Sequence, residues 1–321
     1  MIYVNYPSVK TERLTFYLAT EEYLAKNFPS EEYFFMWQVE PTVIFGRNQL
    51  IENEVNLDYV KRENISFYRR KSGGGCVYSD PSNIMFSFIT PFFNKDFVFD
   101  KYLTKVVDLL RDLGLNAVFS GRNDILIGDK KVSGNAFYRA NNRSIVHGTM
   151  LYNTDISVMV KAITPDNEKL ISKGIDSVRS RVTNIVEHLD ISIEDFKKHF
   201  KNNLCDAHIT LTDDDILGIR EIEKTYLLPE FIYGKNPNYT LKKKAKTNAG
   251  MIEVSVELKN NIVVNMNMLG DYFLIEDLSD FLALFTKQEF TRESFNKILE
   301  KHKIEEYIYN LTKKQFLDIL F

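Results

Sequence analysis

Residues 69–78 read RRKSGGGCVY, so three consecutive glycines follow three cations and a serine. The flanking residues, SFYRR before them and Cys76-Val77-Tyr78 after them, have the composition of β-strands. Without a Cβ atom, Gly73, Gly74 and Gly75 can take positive φ angles and let backbone N–H groups converge on an oxygen-rich ligand. A flexible turn beside a solvated charge run gives the same pattern. The stretch is neither a Walker A loop nor a GxGxxG loop, and alone it leaves anion binding and a plain turn open.

Hydrophobic periodicity extends the prediction outward from this stretch. Apolar residues at helical spacing predict a helix over about 11–28, with Glu21 and Glu22 on its outward face. Short β-rich runs separated by glycine or polar breaks indicate a mixed sheet in an α+β fold. Further helices are predicted over 56–64, 97–113 and from about 190, and strands over 1–6, 33–39, 42–46, 66–70, 84–90, 116–120, 123–128, 130–139 and 144–153.

A change of composition near Tyr233 predicts a domain boundary. The segment 234–250 has turn residues and a cationic run with few apolar anchors, which is typical of an exposed connection. Residues 251–269 alternate like a hairpin, and residues 278–321 show helical spacing. We therefore expect a large domain over 1–246 and a small α+β domain over 247–321.

Bulk composition narrows the possible classes of protein. The chain has 321 residues, a formal net charge of −3 and two cysteines without zinc-type spacing. A nucleic-acid partner, a disulfide framework and structural zinc are therefore not expected. The N-terminal residues lack a signal-peptide pattern, and no run approaches the ~18 apolar residues of a membrane span. A cytoplasmic protein that does not associate with membranes is the expectation.

A second polar cluster lies in residues 122–139. Asn123 and Asp124 open one predicted strand, and Lys131 opens the next. A lysine is a compact point charge that suits a phosphate or an activated carboxylate, although a lysine at a hairpin tip is the more ordinary interpretation. His147 lies in an apolar strand, where a packed histidine is more common than a base. Its neighbour Gly148 favours the close approach of a ligand or of backbone.

Together these motifs resemble the lipoate–protein ligase A family. Besides RRKSGGGCVY, the chain has GRNQ at 46–49 and NDILIGDKKVSGNAFYR at 123–139, and HGTMLYNTDI and KGIDSVRSRVTN begin at 147 and 173. Residues after YGKNPNY resemble the accessory domain of this family. The resemblance implies the fold shared with biotin–protein ligases, a central mixed sheet flanked by helices. It also implies that ATP and free lipoate form lipoyl-AMP and pyrophosphate, and that the lipoyl group then passes to a lysine.

The resemblance assigns roles residue by residue. Lys131 matches the essential lysine of the family. Asp124 matches a residue near the adenylate and is the implied Mg²⁺ contact, and residues 177–184 match a loop near the site. The positions that match the lipoyl-adenylate pocket are Arg70, Ser72, Gly73, Gly74, Gly75, Cys76, Val77, Tyr78, Asn83, Asn123, Asp124, Ser133, Gly134, Ala136, His147, Gly148 and Met150. The implied small molecules are ATP, Mg²⁺ and lipoate. The implied acceptors are apo lipoyl domains of 2-oxoacid dehydrogenase E2 subunits or the glycine-cleavage H protein.

The chain departs from the family pattern in VYSDPSN, residues 77–83. Ser79 stands for a histidine and Ser82 for a glycine, whereas Asp80 and Asn83 are kept, so the departures concern the shape of the loop more than its chemistry. Tyr233 stands where a tryptophan is common, which we interpret as packing.

Two other functions fit the fold. An octanoyl or lipoyl transferase would use a cysteine thioester instead of ATP, but HGTMLYN and KGIDS contain no cysteine, and the accessory domain favours a ligase. Cys76 and Cys205 are then expected to be inert thiols. A non-catalytic binding module is disfavoured by Lys131, Arg70 and Asp124. The polar junction between the domains predicts that the small domain moves during the reaction.

Overall fold

The structure is a computed structural model, and it describes residues 1–8, 11–49, 51–91, 95–120, 123–163, 178–233, 241–259 and 261–321. The strands are β1 (Ile2–Asn5), β2 (Tyr33–Trp37), β3 (Thr42–Phe45), β4 (Ser66–Arg69), β5 (Val77–Ser79), β6 (Ile84–Pro91), β7 (Ala117–Phe119), β8 (Asp124–Ile127), β9 (Lys130–Ala140), β10 (Arg143–Met150), β11 (Ala207–Thr210), β12 (Leu241–Thr247), β13 (Gly250–Lys259) and β14 (Ile262–Gly270). The α-helices are α1 (Leu14–Asn27), α2 (Ile51–Glu54), α3 (Leu57–Arg62), α4 (Lys95–Asp112), α5 (Ile156–Ile163), α6 (Ile193–Leu204), α7 (Asp213–Tyr226), α8 (Pro229–Tyr233), α9 (Leu278–Ala283), α10 (Arg292–Lys301) and α11 (Lys313–Leu320).

An eight-stranded mixed sheet forms the centre of the larger unit. Its strand order is β11-β1-β2-β6-β10-β9-β8-β7, with β1 parallel to both neighbours and the remaining pairs antiparallel. Helix α1 packs on one face through Leu14 and Leu18, and α4 packs on the other through Tyr102 and Val106. Burying apolar side chains on both faces is what the alternating and continuous hydrophobic runs predict. The predicted α+β class, with a mixed sheet flanked by helices, is confirmed.

A smaller sheet carries the glycine stretch. Strand β3 lies between β4 and β5, parallel to the first and antiparallel to the second. Residues 70–76 connect β4 to β5 across β3, so the loop crosses the end of this sheet. Asn56 caps α3 as predicted, because its Oδ1 atom accepts a hydrogen bond from the Tyr59 N–H at 3.0 Å.

The third sheet belongs to the C-terminal part and corrects one prediction. Strands β12, β13 and β14 form an antiparallel sheet covered by α9 to α11, with Phe281 and Phe285 in its core. Residues 241–247, expected to be an exposed connection, form β12 and pair with β13 along their length. The cationic side chains of Lys242, Lys243 and Lys244 lie exposed on this edge strand, where charge disfavours edge-to-edge pairing with another sheet. Because β12 spans the expected boundary at 246/247, we propose that the C-terminal unit begins ahead of Leu241.

Within the described residues, no helix combines the length and apolar character needed to cross a lipid bilayer. Residues 234–240, the first part of the connection expected over 234–250, lie outside the described residues.

Candidate active site

One cavity joins an apolar chamber to a polar, cationic wall. It has a volume of about 110 Å³ and lies between α1, the glycine loop and strands β9 and β10. The apolar lining residues are Leu14, Leu18, Trp37, Ile44, Val77, Met85 and Ala136. The polar and glycine residues that line it are Arg70, Gly74, Gly75, Cys76, Asn123, Lys131, Gly134, Asn135, His147, Gly148 and Thr149. A site of this kind suits an apolar molecule with one negatively charged end.

A β-bulge aims Lys131 at the cavity. Along β8 and β9, Ile125 pairs with Ser133 and Leu126 with Lys131, so Val132 is the extra residue. In a regular strand, residues three apart lie on opposite faces, and the bulge instead puts Lys131 on the same face as Gly134. A Cβ atom at Gly134 would lie 2.8 Å from the Lys131 Nζ atom, so this glycine makes room for the lysine.

Two neighbours hold Lys131 in place. Its Nζ atom lies 2.8 Å from the Asp124 Oδ1 atom, and both side chains are about one-third exposed. Its backbone N–H donates to the Arg181 carbonyl at 2.8 Å, and its carbonyl accepts from the Thr183 N–H at 2.9 Å. The described part of the predicted loop, residues 178–184, therefore lies beside the lysine, whereas residues 164–177 lie outside the described residues.

Arg70 folds the glycine loop around its guanidinium group. Its Nη2 atom donates to the carbonyls of Gly73 and Gly75 at 2.7 Å each, and its Nη1 atom donates to the Ile44 carbonyl at 3.1 Å. Gly74 takes φ of +90°, which permits this tight wrapping. Burial lowers the pKa of Arg70 to about 10, so the group stays charged at neutral pH. Arg70 thus shapes the loop as well as placing positive charge at the cavity.

The two cysteines lie in different places. Cys76 lines the cavity, and burial raises the pKa of its thiol well above the usual range, a shift that the nearby Glu54 carboxylate reinforces. Cys205 ends α6, and burial raises its pKa to about 11. A thiol with a raised pKa is a poor nucleophile at neutral pH because little thiolate is present.

Asn135 is a lining residue that the sequence interpretation missed. Its side-chain N–H₂ group donates to the Asn123 carbonyl at 2.9 Å and faces the Ser133 hydroxyl at 3.2 Å. Its Oδ1 atom is buried and has no hydrogen-bond partner among the described residues. A Cβ atom at Gly148 would lie 2.0 Å from this oxygen, which explains the glycine opposite it. An unpartnered buried acceptor at a cavity wall suits a donor on a bound molecule.

Glu21 points into the protein, so the outward orientation predicted for it is wrong. Its carboxylate is fully buried, and it accepts hydrogen bonds from the Ser87 hydroxyl at 2.6 Å and the Tyr138 hydroxyl at 3.1 Å. The His147 Nδ1 atom lies 2.9 Å and 3.0 Å from its two oxygens. The signal that could have revealed it is helical spacing, because residues 14, 18 and 21 share one helix face. Glu22 is half-buried and pairs with Lys71 at 2.7 Å.

The predicted pocket residues outside the cavity lining divide into two groups. Ser72, Asp124 and Ser133 contact the lining residues Arg70, Lys131 and Asn135. Gly73, Tyr78, Asn83 and Met150 pack elsewhere: Gly73 against the C-terminal unit, Tyr78 and Met150 in hydrophobic cores, and Asn83 against Thr154.

The stretch with the departures forms a turn held by Asp80. The Asp80 Oδ1 atom accepts from the Ser82 N–H at 2.9 Å, and the Asp80 carbonyl accepts from the Asn83 N–H at 3.0 Å. Ser79 is fully buried at the end of β5. The serine at 82 thus closes a turn without a glycine.

The C-terminal unit covers the outer side of the glycine loop. The Gly74 N–H donates to the Tyr272 carbonyl at 3.0 Å, and the Gly270 N–H donates to the Asn48 carbonyl at 2.7 Å. A Cβ atom at Gly74 would lie 2.9 Å from the Phe273 ring. Arg47 adds an ion pair with Asp277 at 2.6 Å. One N–H of the loop is therefore already bonded across this interface.

Comparisons with known proteins match both parts of the chain. Residues 14–205 match the model of the lipoyl protein ligase A/B catalytic domain, and residues 236–320 match that of the bacterial lipoate protein ligase C-terminus. The chain is 33% identical to the lipoate-protein ligase LplJ of Bacillus subtilis strain 168, with all of both chains covered.

Three solved structures are similar to the chain. P. falciparum LipL1 in complex with lipoate has a TM-score of 0.81 and 20% identity, and the match covers 99% of this chain and 97% of that one; this likeness concerns the fold. A bipartite lipoate protein ligase from Thermoplasma acidophilum, described with its E2 lipoyl domain, has a TM-score of 0.67 and 26% identity over 75% of this chain and 98% of its own. A lipoate-protein ligase A bound with ATP has a TM-score of 0.60 and 25% identity, and the match covers 72% of this chain and 96% of that one.

Proposed function

Because the chain belongs to the lipoyl protein ligase A/B family, as its motifs predicted, we propose that it is an ATP-dependent lipoate–protein ligase. In the first step, an oxygen of the lipoate carboxylate attacks the α-phosphorus of ATP, and pyrophosphate leaves. In the second step, the amine of an acceptor lysine attacks the acyl carbon of lipoyl-AMP, forming an amide and releasing AMP.

The observation that carries the proposal is the two-ended cavity. An apolar acyl chain with a dithiolane ring suits the chamber formed by Leu14, Leu18 and Trp37. The carboxylate would then point toward Lys131 and the glycine loop at the other end. This arrangement brings the reacting oxygen to the charged wall and leaves the rest of the molecule out of water.

Lys131 is the residue we propose to hold the reacting groups together. A carboxylate and a triphosphate repel each other, so their approach requires positive charge that is already in position. The Lys131 ammonium group supplies one compact charge, and the glycine at 134 lets it lie across β9. Asp124 keeps the ammonium group oriented before substrates arrive.

Arg70 and the glycine loop complete the proposed anion site. The guanidinium group is held by backbone carbonyls, so its charge stays fixed without a substrate. The exposed Gly75 belongs to the part of the loop that we propose to face the phosphates. The N–H groups of such a loop stabilise charge that develops on phosphate oxygens.

Mg²⁺ fits the donor set at Asp124. An ion that arrives with ATP needs one or two protein carboxylates, because phosphates and water supply its other oxygen ligands. Asp124 is the carboxylate next to Lys131 and would contact the ion. Within the described part of the chain, no group of three or more His, Cys, Asp or Glu side chains could hold a metal by itself. A bound ion would neutralise charge on the phosphates.

For the acceptor, we propose apo lipoyl domains of 2-oxoacid dehydrogenase E2 subunits or the glycine-cleavage H protein. One support is that a structurally similar ligase is described with its E2 lipoyl domain. A transferase that uses a cysteine thioester is disfavoured because burial keeps the Cys76 thiol protonated.

A lipoylation assay tests the proposal. Purified chain, free lipoate, ATP and Mg²⁺ should release pyrophosphate, and an added apo lipoyl domain should gain a lipoyl group visible by mass spectrometry. We expect Lys131→Met to lower pyrophosphate release at least 100-fold, because the charge at the reacting atoms is lost. The matched control is Lys130→Met, which removes a neighbouring lysine outside the cavity lining.

The same assay can also identify a transferase. Lipoylation without ATP, from an acyl-carrier-protein donor and abolished in Cys76→Ser, would identify a transferase and overturn the proposal. A panel of E2 lipoyl domains and H protein in the same assay identifies the preferred acceptor.

A further inference from the structure

Glu21 connects both ends of the cavity through a buried hydrogen-bond network. It lies inside α1, and three groups converge on its carboxylate: the hydroxyls of Ser87 and Tyr138 and the His147 ring. Burying a carboxylate is costly unless donors replace water, and these three groups supply that replacement. The network has two branches, and each ends at a lining residue.

One branch leads to the glycine loop. The His147 Nε2 atom lies 2.7 Å from the Ser72 Oγ atom, and that hydroxyl oxygen accepts from the Arg70 Nε–H at 3.0 Å. Arg70 in turn binds the carbonyls of Gly73 and Gly75. Four consecutive contacts thus join the Glu21 carboxylate to the loop backbone.

The other branch leads to the apolar chamber. The Trp37 Nε1–H donates to the Ser87 hydroxyl oxygen at 3.0 Å, and Ser87 donates to Glu21. The Trp37 ring lines the cavity and stacks on Tyr17 with centroids 4.8 Å apart. The orientation of this ring therefore depends on the same carboxylate.

The direction of each proton follows from the donors and acceptors. A carboxylate only accepts, so the His147 Nδ1 atom must carry the proton that faces Glu21. Ser72 accepts from Arg70 and keeps one proton to donate, and the His147 Nε2 atom is the other partner of this hydroxyl among the described residues. With the His147 ring protonated on Nδ1 and accepting at Nε2, every proton of this network has an acceptor.

We propose that Glu21 is a positioning residue for the ligase reaction: it sets the His147 tautomer and thereby fixes Arg70 at the phosphate end, and through Ser87 it fixes Trp37 at the acyl end. This inference rests on the proposed function and adds a residue to it. Glu21 does not line the cavity, so it acts through its neighbours and contacts no substrate.

The Ser72–His147–Glu21 arrangement is not a hydrolytic triad. A nucleophilic serine needs an oxygen that faces the substrate, whereas Ser72 is fully buried and its oxygen accepts from Arg70. His147 lines the cavity and Ser72 does not. The order of the three residues resembles a triad, but the access that a nucleophile requires is missing.

The tautomer test needs no catalysis. We expect ¹⁵N spectra of histidine-labelled chain to show His147 as the Nδ1–H tautomer, with its signals assigned by their loss in His147→Gln among the five histidines. In Glu21→Gln, the amide is no longer an obligatory acceptor, and we expect the Nε2–H form to appear. Glu22→Gln is the matched control, since Glu22 is the next residue of α1 and pairs with Lys71.

Fluorescence and kinetics complete the experiment. Trp37 is the one tryptophan in the sequence, so a change in emission in Ser87→Ala and Glu21→Gln, without substrates, reports the second branch. We expect Glu21→Gln to weaken lipoate binding and slow adenylation by about 10- to 100-fold each, and Glu22→Gln to change both less than threefold.

The outcomes separate this inference from the proposed function. A doubly protonated or Nε2–H His147 in the wild-type chain would overturn the role of Glu21, whatever the enzyme does. So would an unchanged spectrum and unchanged kinetics in Glu21→Gln. Absence of pyrophosphate release by the wild-type chain would instead overturn the ligase assignment. If Glu21→Gln does not fold, the wild-type tautomer and the Ser87→Ala emission still decide the question.

Discussion

Replacing Gly73 by alanine should release the C-terminal unit from the glycine loop. A Cβ atom at this position would lie 2.1 Å from the Tyr272 carbonyl oxygen and 3.0 Å from the Phe273 Cα atom. Both are backbone atoms of the other unit, so no side-chain rotation can relieve the clash. Gly73 itself has no positive φ angle, which means that alanine fits the loop conformation once the partner has moved.

The size of the effect follows from the distances at the interface. An ordinary contact begins near 3.4 Å, so the Tyr272 carbonyl must retreat by more than 1 Å. The bond from the Gly74 N–H, now 3.0 Å long, would then exceed hydrogen-bonding distance. Losing this bond and the Phe273 packing costs about 2 to 4 kcal/mol, which is roughly a 30- to 700-fold rise in the opening equilibrium.

Hydrogen exchange measures that equilibrium directly. In wild-type protein, the amides of Gly74 and Gly270 are bonded across the interface and should exchange slowly. In Gly73→Ala, both should lose protection by the predicted factor, while amides in the centre of β10 keep theirs. Gly75→Ala is the control, because a Cβ atom there meets no atom within 4 Å. Unchanged protection in Gly73→Ala, or an equal loss in Gly75→Ala, would refute the reasoning.

Three further changes test other parts of the structure. Burial, reinforced by the Asp271 carboxylate, raises the pKa of Glu54 to about 7, so the folded state disfavours the ionised carboxylate. The cost of ionising Glu54 in the folded state is absent below its ordinary pKa of 4.5 and is complete once the pH has risen through 7. Glu54→Gln should therefore raise the free energy of unfolding by about 2 kcal/mol at pH 8 and leave it unchanged at pH 4, whereas the exposed Glu40→Gln should change neither; equal effects at both pH values would contradict this explanation. Arg70→Lys should cost about 2 to 4 kcal/mol in chemical denaturation, because lysine cannot bind the loop carbonyls together, and stability within 0.5 kcal/mol of wild type would argue against a shaping role. Phe285→Ala should destabilise the C-terminal core by about 3 to 5 kcal/mol, measured as lost amide protection in β13 with β10 unaffected, and a loss in both would show one cooperative unit.

Local sequence patterns predicted the parts of the fold that depend on neighbouring residues. Runs of β-rich composition identified β2, β6 and β10, and helical spacing identified α1 and α4 to within three residues at each end. The edge strand β12 was missed because its exposed lysines have the composition of a loop. An edge strand pairs with one neighbour and buries too few side chains to show a hydrophobic pattern. The pairing of β12 with β13 is evident only in the folded structure.

The motifs also indicated which residues belong to the candidate site, but they did not indicate how these residues are arranged in space. Each motif alone left a plain turn or a hairpin tip open, and the joint occurrence of the motifs in the order of the family selected the lysine, the arginine and the glycines. The bulge at Val132, which turns Lys131 toward the cavity, depends on the register between β8 and β9 and leaves no local sign in the sequence.

Glu21 shows why long-range polar contacts escape sequence reasoning. A glutamate in a helix is ordinarily solvated, so the pattern predicted an outward side chain. The groups that make its burial possible, Ser87, Tyr138 and His147, lie 66, 117 and 126 residues away along the chain. Each comes from a strand of the central sheet, and the sheet register brings all three to one point. Burial of a charged group is therefore decided by partners that no local window contains, and one of these partners, His147, lines the cavity.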